Sequence, residues 1–147
     1  VKVQSAKDMY DAVIERADSM DIIVKAAAVA DYRPKNVSSE KVKKQDGNMS
    51  IELERTDDIL KTLGERKNGQ FICGFSMETE NMLENSRKKL EKKNCDMIVA
   101  NNLKQDGAGF GGNTNIVTLI TKDDEVQLEK MTKDEVAEKI FDFILSR

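Results

Sequence analysis

The sequence predicts an α/β fold: a three-layer, Rossmann-like arrangement with a mainly parallel sheet and an antiparallel edge hairpin. Three observations lead there. Apolar runs of strand length recur at residues 22–27, 70–75, 96–100 and 115–120. Between the earlier of these lie stretches with helical spacing, and strands that alternate with helices form right-handed βαβ units. Finally, residues 125–128 return after Lys122-Asp123-Asp124, which predicts a hairpin closing the last edge.

Taken in order, Val1-Lys2-Val3 reads as a short strand tail, and Ser5 opens an amphipathic helix to about Asp18. Met9, Val13 and Ile14 form its apolar face, with Ala6 and Ala17 at its ends. The strand at 22–27 passes into the small run Ala26-Ala27-Ala28-Val29-Ala30 and breaks at Asp31-Tyr32-Arg33-Pro34. The residue before a proline is pushed out of helical geometry, so a turn is expected there. Asp46-Gly47 signals another turn, and Met49-Ser50-Ile51-Glu52-Leu53 alternates as a half-exposed strand. Thr56 is expected to cap a short helix through Ile59, Leu60 and Leu63, ending near Gly64. Residues 77–93 read as a long helix with Met82, Leu83 and Leu90 inward. A glycine-rich loop spans 101–113. The last helix starts at Thr132, which with Glu135 fits a capping box; Val136, Ile140, Phe141 and Ile144 make its inner face.

A chain of 147 residues with 39% hydrophobic and 35% charged side chains suits one domain of a cytosolic, cytoplasmic protein. No apolar run approaches the length of a membrane span, so no membrane association is expected. Cys73 and Cys95 have neither metal-ligand spacing nor a disulfide framework and read as core thiols. Histidine is absent altogether. That excludes Ser-His and Cys-His nucleophilic catalysis, His-metal sites and His acid–base chemistry. What remains suits phosphoryl or nucleotidyl transfer, where positioning and charge neutralisation dominate.

Residues 31–44 carry five Lys or Arg against two Asp or Glu in a chain of net charge −3. A local anionic partner fits this better than a nucleic-acid surface, although a solvated lysine-rich loop has the same composition. Ligands of such sheets bind beyond the carboxyl ends of the strands. Those ends feed three loops, at 26–33, at 74–79 and at 101–112. Lys89 and Lys93, four apart, share a helix face where an anion could bridge them, or where they are simply solvated. Asp57 and Asp58 sit where a helix start favours negative charge. Asp31 could hold a divalent metal that bridges phosphates, or could pair with Arg33 and Lys35. Gly107, Gly109, Gly111 and Gly112 follow a strand without opening a helix, so as a dinucleotide fingerprint they are weak.

Together these motifs are specific. Ala27-Ala28-Val29-Ala30-Asp31-Tyr32-Arg33-Pro34, Glu40-Lys41-Val42-Lys43-Lys44 and Asp58-Ile59-Leu60 occur in order. Gly74-Phe75-Ser76-Met77-Glu78-Thr79, Lys89 with Lys93, Ile98-Val99-Ala100-Asn101 and Phe110-Gly111 with Asn115 follow. Across essentially its whole length the chain resembles the phosphopantothenate–cysteine ligase family, the synthetase half of a bifunctional coenzyme A biosynthesis protein. The resemblance implies a two-step ligase. CTP, with Mg²⁺, activates the carboxylate of 4′-phosphopantothenate as an acyl-cytidylate, and the amine of cysteine then forms the amide. It implies Lys41 as the catalytic lysine, on a flap over the intermediate. It implies Asp31 at the nucleotide and metal, and Ala26, Ala27, Lys41, Asp57, Asp58, Ile59, Leu60, Phe75, Lys89 and Lys93 around CTP. It also implies a homodimer formed partly through extended strands near residues 42–54. Members begin with a strand and a glycine-rich nucleotide loop ahead of the segment matching Val1, so 1–147 is expected to be a single synthetase domain lacking that piece. The alternative is a non-catalytic Rossmann-like module that binds a nucleotide or docks a partner. A NAD-dependent oxidoreductase is disfavoured by the missing fingerprint.

Overall fold

The three parallel strands of the sheet send alternate side chains into two different hydrophobic clusters, and this places the sheet in the middle layer. The computed structural model describes residues 1–44, 46–102 and 112–147. Strands β1 (Ile22–Lys25), β4 (Phe71–Glu78), β5 (Met97–Asn102), β7 (Val117–Ile120) and β8 (Glu125–Gln127) form one sheet in the order β1-β4-β5-β7-β8. The first three are mutually parallel; β7 and β8 add an antiparallel edge. The expected α/β class and edge hairpin are therefore what the chain adopts. Ile72 and Ile98 pack with Leu60, Leu63 and Leu90 on one face. Cys73, Met97 and Val99 pack with Val136, Ile140 and Ile144 on the other. Adjacent residues thus serve opposite faces, the period-two consequence of a pleated strand.

Helices α1 (Ala6–Ala17), α2 (Ile59–Arg66) and α3 (Met82–Lys92) cover the first face, and α4 (Lys133–Leu145) the second. Ser5 caps α1, its hydroxyl accepting from the Asp8 amide at 3.1 Å while the Asp8 carboxylate accepts from the Ser5 amide at 3.0 Å. Thr132 and Glu135 make the expected capping box at α4. Gly74 lets α2 lie close on the sheet: a Cβ there would sit 2.7 Å from a Leu60 methyl. Both cysteines are buried free thiols. No helix among the described residues is long and apolar enough to cross a membrane.

Several elements differ from the sequence reading. Residues 1–4 form no strand, since no described strand pairs with them. Residues 49–52 also lack regular structure; only β3 (Leu53–Arg55) pairs, antiparallel, with β2 (Tyr32–Pro34). Met49 and Ile51 alternate correctly but find no partner strand among the described residues and stay exposed. Strand β4 continues to Glu78, because Ser76–Glu78 ladder with 100–102 of β5, and α3 starts only at Met82. Leu83 and Phe141 are exposed rather than inward; Ser86 on α3 and Phe143 on α4 occupy the inner side instead. Ile116 divides the expected strand, so that β6 (Thr114–Asn115) pairs with β9 (Met131–Thr132) in a sheet of its own. Of the glycine-rich loop, residues 103–111, with Gly107, Gly109, Phe110 and Gly111, lie outside the described residues.

Candidate functional site

The carboxyl ends of β1, β4 and β5 open into a cleft of about 680 Å³. Its floor is the small run 26–30, where alanine side chains leave the backbone accessible. One wall is the segment Arg55-Thr56-Asp57-Asp58 and the first turn of α2; another is the face of α3 carrying Lys88, Lys89, Lys92 and Lys93. Phe75, Met77, Asn101, Asn115 and Lys133 complete the lining.

Local chemistry holds these walls in place. The Thr56 hydroxyl donates to the Ala30 carbonyl at 2.5 Å, and the Thr56 amide to the Asp31 carbonyl at 3.0 Å. Thr56 is thus a tie between two loops, not the helix cap expected of it. The cap is Asp58, whose carboxylate accepts from the Lys61 amide at 2.9 Å. Asp58 also pairs with the Lys93 ammonium. Lys89 donates to the Phe75 carbonyl at 2.7 Å, and Lys25 to the Ala27 carbonyl at 2.7 Å.

The electrostatics are those of an anion site. Seven Lys or Arg and three Asp line the cleft. Burial, assisted by the neighbouring charge of Lys89, pushes the Lys25 ammonium below its ordinary value, against the pull of Asp58 and Asp31. A lysine held in that way gains when an anion arrives. Burial works against the charged form of Asp58, but hydrogen bonds from Lys93 and from the Lys61 amide hold its carboxyl below the ordinary value. Asn101 is buried, and its carboxamide oxygen has no hydrogen-bond partner among the described residues.

Of the sequence-predicted site residues, Ala26, Ala27, Asp31, Asp57, Asp58, Ile59, Leu60, Phe75, Lys89 and Lys93 all line this one cleft. Lys41 does not: it lies exposed on the connection between β2 and β3, outside the lining. Sequence reasoning missed Lys25, Asn85 and Lys133, and placed Asn101 only in the third loop, without a role. Lys25 could have been found, being the last residue of the strand that feeds the first loop. Lys133 could not, because it reaches the cleft only through the docking of α4.

Over residues 1–147 the chain matches the family described as the DNA/pantothenate metabolism flavoprotein C-terminal domain. The chain belongs to that family. A coenzyme A biosynthesis bifunctional protein CoaBC of Bacillus subtilis (strain 168) is 55% identical over 123 residues, which are 84% of this chain and 30% of that protein. A protein named cysteine/cysteine sulfinic acid decarboxylase, from an unknown prokaryotic organism, is 43% identical over 148 residues, covering 99% of this chain and 41% of that protein. The crystal structure of the C-terminal domain of a CoaBC protein is 48% identical with a TM-score of 0.78, over 99% of this chain and 66% of that one. The chain thus spans well under half the length of these two curated relatives. The crystal structure of the DNA/pantothenate metabolism flavoprotein from Streptococcus pneumoniae has the same fold, with a TM-score of 0.81 at 21% identity, over 99% of this chain and 72% of that one.

Proposed function

We propose that this chain is the synthetase part of a CTP-dependent phosphopantothenate–cysteine ligase in coenzyme A biosynthesis. The observation that carries the reading is the basic cleft, which gathers ten residues expected at the nucleotide from four separate stretches of the chain. The name of the 55% identical relative supports the pathway.

In the first step a carboxylate oxygen of 4′-phosphopantothenate attacks the α-phosphorus of CTP, forming the acyl-cytidylate and releasing pyrophosphate. In the second, the cysteine amine attacks the acyl carbon, forming the amide and releasing CMP. Lys25, Lys89 and Lys93 would take the charge of the phosphates, which concentrates as pyrophosphate leaves. The alanine run would let the nucleotide approach the backbone of 26–30. Lys41, on its exposed connection, would close over the site and neutralise the activated intermediate, shielding it from water. Mg²⁺ suits the donor set: the Asp31 carboxylate lines the cleft, and Mg²⁺ is ordinarily held by one or two carboxylates plus substrate phosphates. Asp31 would hold it, and the ion would supply charge neutralisation at the triphosphate. The exposed apolar residues Val42, Met49, Ile51 and Leu53 would bury against a second copy in a homodimer.

The test is pyrophosphate release with CTP, Mg²⁺ and 4′-phosphopantothenate, without and then with cysteine. Release that depends on phosphopantothenate is expected, with amide formed once cysteine is added. Binding of CTP without any release would favour the nucleotide-binding module instead. Absence of CTP binding would overturn the reading of the cleft.

A further inference from the structure

Lys93 owes its position to a contact at the C-terminal end of α2. The carbonyl of Lys93 lies so close to Gly64 that a Cβ there would sit 1.8 Å from the Lys93 oxygen. Beside it, the Asn94 side-chain amide donates to the Gly64 carbonyl at 2.8 Å. That carbonyl belongs to the last turn of α2, where carbonyls lack intrahelical partners. Asn94 itself is left-handed, with φ 50°. The Cys95 amide donates to the Leu90 carbonyl at 3.0 Å and the Asn94 amide to the Glu91 carbonyl at 3.1 Å. This is the Schellman ending of α3, in which glycine is the usual left-handed residue. An asparagine here keeps the turn and adds a bond to a second helix. At the other end of α2, the Lys93 ammonium pairs with the cap, Asp58. Residues 93 and 94 therefore grip α2 at both ends.

We propose that Gly64 and Asn94 form a clamp that positions Lys93, and with it the cation array of the cleft, for a nucleoside triphosphate. The role of Asn94 is positioning, since it acts through Lys93 and touches no substrate. This rests on the nucleotide reading of the cleft. Without the Asn94 bond the last turn of α3 is free to slide along α2, and Lys93 samples positions from which the phosphates are out of reach.

Gly64→Ala is a poor test, because the clash with backbone threatens the fold itself. Asn94→Gly is the informative variant: glycine takes the left-handed conformation more easily, so the helix ending survives and only the interhelical bond is lost. CTP affinity in the presence of Mg²⁺ is measured by calorimetry for wild type, Asn94→Gly, Lys93→Met and the double variant, with thermal unfolding alongside. The expected result is affinity lower by about threefold or more for Asn94→Gly, shrinking to less than about twofold in the Lys93→Met background. Unchanged affinity in Asn94→Gly would overturn the clamp. So would an equal loss in both backgrounds, which is the signature of a general structural effect. If wild type bound no CTP, all four proteins would be equally silent; the proposed function would fall, and the clamp's role with it.

Discussion

Thr56 and Ala30 are joined by a hydrogen bond of 2.5 Å across 26 residues of sequence, donated by the threonine hydroxyl to the alanine carbonyl. It ties the alanine floor of the cleft to the wall that precedes α2. Thr56→Val keeps the shape and removes the donor, leaving the Ala30 carbonyl to find water. Stability should fall by about 1 kcal/mol, which lowers Tm by about 2–4 °C in a chain of this size. Because the floor loosens, CTP affinity should fall as well; thermal unfolding and calorimetry read the two effects separately.

Lys41 lies outside the lining of the cleft, so the proposed function assigns binding and chemistry to different residues. Lys41→Gln should abolish amide formation while leaving most CTP binding, since none of the residues lining the cleft is disturbed. Parallel assays of amide product and CTP affinity check this. A loss of affinity as large as the loss of turnover would contradict it.

Asp58 makes the cleft sensitive to acid. Its carboxyl lies below the ordinary 3.8, because the bonds from Lys93 and the Lys61 amide outweigh the cost of burial. A carboxylate lowered by folding adds stability above its unfolded value, and that contribution is lost as pH falls through the folded value. Lys93→Met should move the Asp58 titration upward, towards 3.8. Carbon NMR of the side-chain carboxyl follows the shift, and an unmoved titration would show that Lys93 contributes nothing to it.

The two cysteines should be inert in the native protein. Burial pushes the Cys73 thiol up to about 12 and the Cys95 thiol up to about 11. Since only the thiolate reacts, an alkylating reagent at about pH 8 should label neither until the chain unfolds. Mass spectrometry with and without denaturant distinguishes this from partial exposure.

What the sequence by itself determined is local. The alternation of apolar runs with helical stretches set the layers, and Thr132 with Glu135 announced the start of α4, since a capping box is closed within four residues. The edge at which the cleft opens was also legible, because strand direction alone decides where small and polar loops collect. Tertiary structure decided the rest. Met49 and Ile51 have the pattern of a strand, yet a strand exists only where a neighbour offers its backbone groups, and here pairing begins at Leu53. Ser76–Glu78 became strand for the converse reason: β5 was there to pair with them. Thr56 looked like a cap and is a tie, because the Ala30 carbonyl came within reach only when the chain folded. Asn94 carried no signal in the sequence; its bond to the Gly64 carbonyl exists only because α2 and the end of α3 pack together. Such roles depend on which groups meet across the fold, and spacing along the chain carries no record of that.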